Sequence, residues 1–378
     1  MGTHTQAPSA VVGDSGLTGL DKVVSTNAEK ILGSNTLQRY GAELPFLFKI
    51  LDAREMLSIQ VHPSRLQAAA GFAAEESAGV PLEAPQRNYK DRNHKPEVHV
   101  ALTPFWMLHG FRPLAEIAEM LAGIPDFADL APWFPLYLLD VGEETTGGEE
   151  LLRRLYEHLM TMPQAEVDQV LQGLLAHIEP LYDRGHLKKI SPHYWAVKAA
   201  RAFPRPGGGI DRGLFSLYFL NLVELLPGQG TFQGAGVPHA YLEGTTVELM
   251  ANSDNVLRGG LTPKHVDVPE LLKTIRFAGG KPEVITGVAV SATEHLYRTP
   301  VDDFQLSRIE LMAGERHTVS QPHGPDILIL LEGVARIEAP GQAFELPRGG
   351  IVMAAADAEW SLSSGPGALL YRATVPLT

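Results

Sequence analysis

The chain has 378 residues, 44% hydrophobic and 20% charged, with a net charge of −13 and no cysteine. That length predicts two or three domains with a substantial core, in an ordinary soluble globular composition. The acidity argues against a nucleic-acid binder, no apolar run reaches the length of a membrane span, and the missing cysteine excludes disulfides and thiolate ligands. Any metal must therefore be held by nitrogen and oxygen donors. No apolar core follows Met1 and the first basic residue is Lys22, so a secretory signal is not expected, and a reducing cytoplasm is the expected location.

Residues 1–44 are weakly patterned, with no clear strand or helix before about Lys22. Pro45 to Ile50 reads as a strand leading into Leu57-Ser58-Ile59-Gln60-Val61-His62-Pro63. There Leu57, Ile59 and Val61 alternate with Ser58, Gln60 and His62, the period of a half-buried strand. Ser64 to Glu76 is alanine-rich and predicts a short helix, and residues 80–93 a loop. In Asn93-His94-Lys95-Pro96-Glu97-Val98-His99-Val100, Lys95, Glu97 and His99 share one face of a strand expected to continue to about Leu108.

The period then changes. Leu114, Ile117, Ala118 and Leu121 have helical spacing, and so do Leu152, Leu155 and Leu159. Pro163 suits the first position of a further helix, whose buried face is Val167, Val170, Leu171 and Leu174. Ser191 is a candidate N-cap for one more. An α-helical insertion of about 113–201 between two β-regions follows. The loop Arg205 to Gly209 carries three consecutive glycines but lacks the Gly-Lys-Ser/Thr of a phosphate loop. Strands resume at Leu214 to Leu226, turn at Pro227-Gly228, and continue through Gly236-Val237-Pro238-His239-Ala240-Tyr241-Leu242 to about Met250. Residues 251–264 are too polar and glycine-rich for a core strand, and Pro269 to Phe277 reads as a short helix. From Val284 onward, short strands with Gly/Pro turns predict a second β-unit.

Gln60, His62, Glu97 and His239 therefore all fall on candidate strands. One amide, two imidazoles and one carboxylate would make a four-donor metal site. Two basic groupings stand near these motifs in sequence: Lys90, Arg92 and Lys95, and Arg258 with Lys264. Lys90 and Arg92 read as solvated loop charges. Tyr241 reads equally well as a sheet aromatic, Glu248 as the solvent face of a strand, and His94 and His99 as packing or supporting histidines.

With Ser253-Asp254-Asn255-Val256-Leu257-Arg258-Gly259-Gly260-Leu261-Thr262-Pro263-Lys264, these blocks resemble type I mannose-6-phosphate isomerases (phosphomannose isomerases) over the length of the chain. The resemblance implies a mainly β fold with an α-helical insertion, comprising two cupin-type jelly-roll sandwiches and a helical domain. Its divisions would be 1–112 and 202–283 for the catalytic cupin, 113–201 for the helices, and 284–378 for a C-terminal cupin-like domain. His317 and His323 there lack the His-x-His pattern, so that domain is expected to be metal-free. The resemblance places one Zn²⁺ per chain on Gln60, His62, Glu97 and His239, and the family's catalytic arginine on Arg258. Substrate contacts fall on Lys95, Tyr241, Glu248, Asp254 and Lys264. Residues 1–9 resemble the middle of a family motif, so the protein is expected to extend upstream of Met1.

The implied partner is a sugar phosphate, with neither nucleic acid nor membrane involved, and a monomer is expected. A divalent ion with one carboxylate and three neutral donors keeps a charge of about +1, which suits substrate oxygens. Arg258 would stabilise developing negative charge rather than carry protons. The base stays open among Glu248, Asp254 and a metal-bound water. Two other functions compete. An iron cupin oxygenase would use two histidines and one carboxylate with open positions, one of which Gln60 would fill. A non-catalytic sugar-binding cupin is expected to lose Arg258 or the ligand set.

Overall fold

The computed structural model describes residues 1–4, 7–13, 16–134, 146–205, 207–320 and 322–376. Thr5 and Gln6 of the first motif and Pro206 of the glycine-rich loop lie outside these residues. Among the described residues no helix is long and apolar enough to cross a membrane.

The chain opens with a hairpin of β1 (Ala10–Gly13) and β2 (Gly16–Gly19), then helices α1 (Leu20–Thr26), α2 (Ala28–Leu32) and α3 (Ser34–Tyr40). The weak pattern of residues 1–44 concealed these elements; Leu20, Val24 and Leu32 are buried all the same. Next come β3 (Phe46–Ala53), β4 (Ile59–Val61), α4 (Arg65–Ser77), β5 (Glu97–Ala101) and β6 (Phe105–Phe111). Ser64 caps α4 in a reciprocal box with Gln67, satisfying two otherwise orphaned backbone donors. The single strand expected from Glu97 to Leu108 is instead two, broken at residues 102–104.

The helical segment holds α5 (Leu114–Gly123), a 3₁₀ stretch Pro125–Trp133, α6 (Thr146–Thr161), α7 (Gln164–Asp183) and α8 (Pro192–Ala202). Pro163 is the N-cap of α7 rather than its first residue, and the Ser191 hydroxyl caps α8 by accepting from the His193 amide at 3.3 Å. Leu152, Leu155, Leu159, Val167, Leu171 and Leu174 are buried in one cluster. The strand expected from Leu214 begins instead as a 3₁₀ turn, Arg212–Phe215, and α9 (Ser216–Phe219), before β7 (Leu220–Leu225). This stretch is buried on every side, and a short apolar run does not by itself distinguish strand from buried helix.

Then follow β8 (Gln229–Gln233), β9 (His239–Ala251), β10 (Leu257–Gly260) and α10 (Val268–Thr274). The presence of β10 corrects the loop expected over 251–264: Leu257 is buried, and Gly260 lets the backbone lie close to Gly213 of the 3₁₀ turn. The long strand β9 organises the nine-stranded sheet. Its first half pairs with β6, and with β4 at His239; its second half pairs with β3 and β5. The change of partners comes at Gly244, where φ is +121° and a Cβ would lie 2.5 Å from the Pro104 carbonyl oxygen. Only glycine fits there, and one strand thereby serves both walls of a curled sheet. The backbone of Met1 lies on the other edge of β3, its carbonyl accepting from the Phe48 amide at 2.9 Å.

The remaining strands are β11 (Ile285–Thr286), β12 (Val288–Ala289), β13 (Glu294–Tyr297), β14 (Gln305–Leu311), β15 (Arg316–Val319), β16 (Asp326–Gly333), β17 (Ala335–Ala339), β18 (Gln342–Leu346), β19 (Ile351–Ala354), β20 (Trp360–Ser363) and β21 (Ala368–Thr374). Here β11 pairs with β8; the others form six- and four-stranded antiparallel sheets. Leu328, Leu330 and Leu370 of one meet Ile337, Trp360 and Leu362 of the other in a sandwich core. Phe46, Phe48, Val247 and Leu249 share a further apolar cluster with Leu306, Ile327, Ile329 and Tyr371. The outer faces of β3 and β9 are thus sealed, and the opposite face of β9, with Thr246, Glu248 and Met250, is left for the sheet interior.

Candidate metal centre and active cleft

In β4, Gln60 stands directly opposite His239 of β9 on one side and Arg258 of β10 on the other. Directly opposed residues project to the same face, so register alone sets amide, imidazole and guanidinium side by side. His62 follows at the end of β4, and Glu97 comes from the first position of β5. His62, Glu97 and His239 are buried and close enough to share one ion. The Nε2 atom of His62 lies 3.2 Å from Glu97 Oε1, and that of His239 lies 3.4 Å from Glu97 Oε2.

The other ring nitrogens fix the tautomers. His62 Nδ1 donates to the Asn255 carbonyl at 2.8 Å, and His239 Nδ1 to the Val237 carbonyl at 2.9 Å. A carbonyl only accepts, so both protons sit on Nδ1 and both Nε2 atoms present lone pairs. Among the described residues, those two Nε2 atoms are buried without a hydrogen-bond partner. Their short approaches to Glu97 set acceptor against acceptor, an arrangement that needs a cation between them. Tetrahedral donors at about 2.0–2.1 Å from an ion lie about 3.3–3.4 Å apart, and the observed separations match. Gln60, opposite His239 in the register, carries a neutral amide on the same face. Burial brings the His62 imidazole down to about 4, keeping it a neutral ligand. For Glu97 burial acts upward, but the adjoining His62 ring and the Lys95 ammonium outweigh it, and its carboxyl stays well below the usual range.

A second tier stands behind the triad. Tyr241 donates its phenolic proton to Glu97 Oε2 at 2.8 Å and also touches His99 Nε2. His99 lies 3.8 Å from Glu248 Oε1, and Glu248 Oε2 accepts from Lys49 Nζ at 2.7 Å. Tyr241 and Glu248 are both buried, and neither is on the wall of the open cleft. Tyr241 thus contacts Glu97 directly, and Glu248 contacts Lys49. Glu248 is on the inner face of β9, which the solvent-face reading missed.

Lys95, Asp254, Arg258 and Lys264 do line that cleft, of about 860 Å³. Both basic groupings of the sequence converge there, because Lys90 and Arg92 line it too. Lys95 Nζ lies 3.3 Å from Glu97 Oε1, and Arg258 is the register neighbour of Gln60, so the cleft reaches the metal donors. Arg258 is half-buried, which lowers its basicity from the ordinary arginine value. Asp254 Oδ2 accepts from His4 Nε2 at 2.7 Å, and its backbone N–H donates to Asp91 at 2.8 Å. His94 faces away, bonding Asp303 at 3.0 Å.

Sequence reasoning missed His4, Asp91 and Asn255. Asn255 is fully buried; its side chain accepts from the Lys90 amide and donates to the Asn93 carbonyl, while its own carbonyl orients His62. Its place three residues before Arg258, inside a polar stretch, was the available signal.

Comparison with known proteins gives one consistent result. The chain matches the family models "Phosphomannose isomerase type I, catalytic domain" over residues 1–114 and "Phosphomannose isomerase type I C-terminal" over residues 295–342. It is similar to mannose-6-phosphate isomerase of Salmonella typhimurium, 38% identical over 98% of this chain and 89% of that protein. The Escherichia coli (strain K12) protein of that name is 36% identical with the same coverage, and the Mus musculus protein 33% identical over 94% and 83%. The solved structure of mannose 6-phosphate isomerase from Salmonella typhimurium, bound to substrate and to a zinc atom, superposes with a TM-score of 0.84. It is 35% identical over 100% of this chain and 90% of that one.

Proposed function

Because this chain belongs to the type I phosphomannose isomerase family, we propose that it interconverts mannose 6-phosphate and fructose 6-phosphate at one zinc ion held by Gln60, His62, Glu97 and His239. The observation that carries this reading is the pair of buried, unpartnered Nε2 lone pairs facing Glu97 at tetrahedral-edge distances. When bound, the ion supplies a residual charge of about +1 that draws substrate oxygens and orients them.

The chain's own residues supply the rest. Aldose-to-ketose conversion removes the proton from C2, leaves an enediol(ate), and returns a proton to C1 while O1 gains a proton and O2 loses one. Asp254 is the better placed base: it lines the cleft and is fixed by His4 and Asp91, whereas Glu248 is buried and held by Lys49. Arg258 is a permanent planar cation beside Gln60, suited to the negative charge that develops on the enediolate oxygens. Lys95 and Lys264 bind phosphate or sugar oxygens. Tyr241 holds Glu97 in its ligating orientation and Glu248 fixes Lys49; both act behind the donors.

In this reading residues 1–112 and 202–283 form the catalytic cupin, 113–201 the helical insertion and 284–378 a metal-free cupin-like domain. The working form is a cytoplasmic monomer. A coupled assay of mannose 6-phosphate to fructose 6-phosphate, with and without chelator, tests the activity. Turnover that is lost to chelator and restored by Zn²⁺ is expected; no turnover with full zinc occupancy would refute it.

A further inference from the structure

A second cleft, of about 550 Å³, lies on the far side of Lys264, between the helical segment and residues 260–268. Its cations are Arg205, Arg212 and Lys264, and its apolar wall is Met160, Phe203, Val266 and Val268. Among the described residues, no carboxylate stands within ion-pair distance of any of the three cations. Arg212 donates to the Met160 carbonyl and Arg205 to the Gln164 amide oxygen, so both guanidiniums are positioned but not neutralised.

Among the described residues, the one carboxylate on the cleft wall is already occupied. Asp211 is buried; Oδ1 accepts from the Gly213 amide at 2.7 Å and Oδ2 from the Thr262 amide at 3.4 Å. Burial and the nearby Arg205 both lower the basicity of Arg212, with Asp211 acting the other way. Unpaired cations gathered in one concavity of a protein with net charge −13 make a local positive field in an otherwise acidic molecule. The forked guanidinium donors suit phosphate oxygens, and the apolar wall suits a small organic body attached to the phosphate.

We propose that this cleft is a second anion site, distinct from the metal-bearing cleft, and that it takes a small phosphate monoester. Lys264 lines both clefts, so a ligand here draws on a cation that the substrate also uses. Occupancy of the second site therefore raises the apparent KM of the sugar phosphate.

Titration calorimetry on the full-length, zinc-loaded chain tests this, with glycerol 3-phosphate and inorganic phosphate as separate probes. Wild type should show two classes of site for glycerol 3-phosphate. In Arg205→Glu one class should weaken by about tenfold or more, while kcat/KM for mannose 6-phosphate, without added anion, stays within about twofold. Arg205 is exposed, so this variant keeps its fold; Arg212→Gln is the second probe and should weaken the same class. A single class of site in wild type, or two unchanged classes in both variants, overturns the proposal. Equal affinity for inorganic phosphate at that site overturns the monoester assignment. Because binding is read directly, failure here is separable from absence of isomerase activity.

Discussion

The phenol of Tyr241 and the carboxylate of Glu97 are joined by a 2.8 Å hydrogen bond inside the curled sheet. It occupies Glu97 Oε2, the same oxygen that His239 approaches. Groups that orient a metal ligand from behind typically contribute 10–100-fold in metal affinity. Tyr241→Phe is therefore expected to weaken Zn²⁺ binding about tenfold while the fold is retained. Competition against a fluorescent chelator measures it, and an unchanged dissociation constant would deny Tyr241 this role.

His239→Ala and Glu97→Ala should each lose most of their zinc. Either change removes one donor and leaves the remaining lone pairs buried without their cation. Elemental analysis after exhaustive dialysis decides the point: stoichiometric metal retained in both variants would dismiss the ligand assignment.

Arg258→Ala should keep its zinc and its melting behaviour but lose turnover. One preorganised charge-stabilising donor is worth about 10²–10³ in kcat. Arg258→Lys should restore little, since a point charge does not reproduce the planar fork. A kcat near that of wild type in Arg258→Ala would take the residue out of the mechanism.

Much of this site was legible because its residues obey local rules. Gln60 and His62 sit two apart in an alternating run, and Glu97 opens another strand, so period two alone puts them on usable faces. The helical insertion showed itself through leucines at helical spacing. What stayed hidden depended on long-range pairing. Residues 257–260 form a strand because β4 pairs with Leu257, Arg258 and Gly260, the register shifting at Gly259, although two of the four are glycine. Glu248 is buried because β3 and β5 flank β9 on both edges, which no local pattern reveals. Leu214 to Phe219 coil before β7 because they are enclosed by the helical segment, where apolar composition carries no period. His4 meets Asp254 across 250 residues, a contact that only the closed fold creates.

Acid should unfold the protein partly through Asp303. This buried carboxylate accepts from Arg65 at 2.9 Å and sits 3.0 Å from His94 Nε2. It lies between β13 and β14, whereas its partners come from α4 and the loop before β5, so the contact ties the C-terminal sheets to the catalytic region. Burial acts to raise its pKa, but His94 and Arg65 outweigh burial, and the net direction is downward from the ordinary aspartate value. A folded-state pKa below the unfolded one means that the folded form holds the proton less tightly. The stabilisation is then fully present above the unfolded value of about 3.9, and is lost as pH falls through the lower folded value. Wild type should melt above Asp303→Asn at pH 7, and that lead should shrink as the pH is taken below about 4. Arg65 is more than half exposed, so solvent screening keeps the lead modest. Melting curves of the two proteins across this range provide the measurement. A lead that stays constant from neutral to acid pH would show that the Asp303 charge contributes nothing to holding the two parts together.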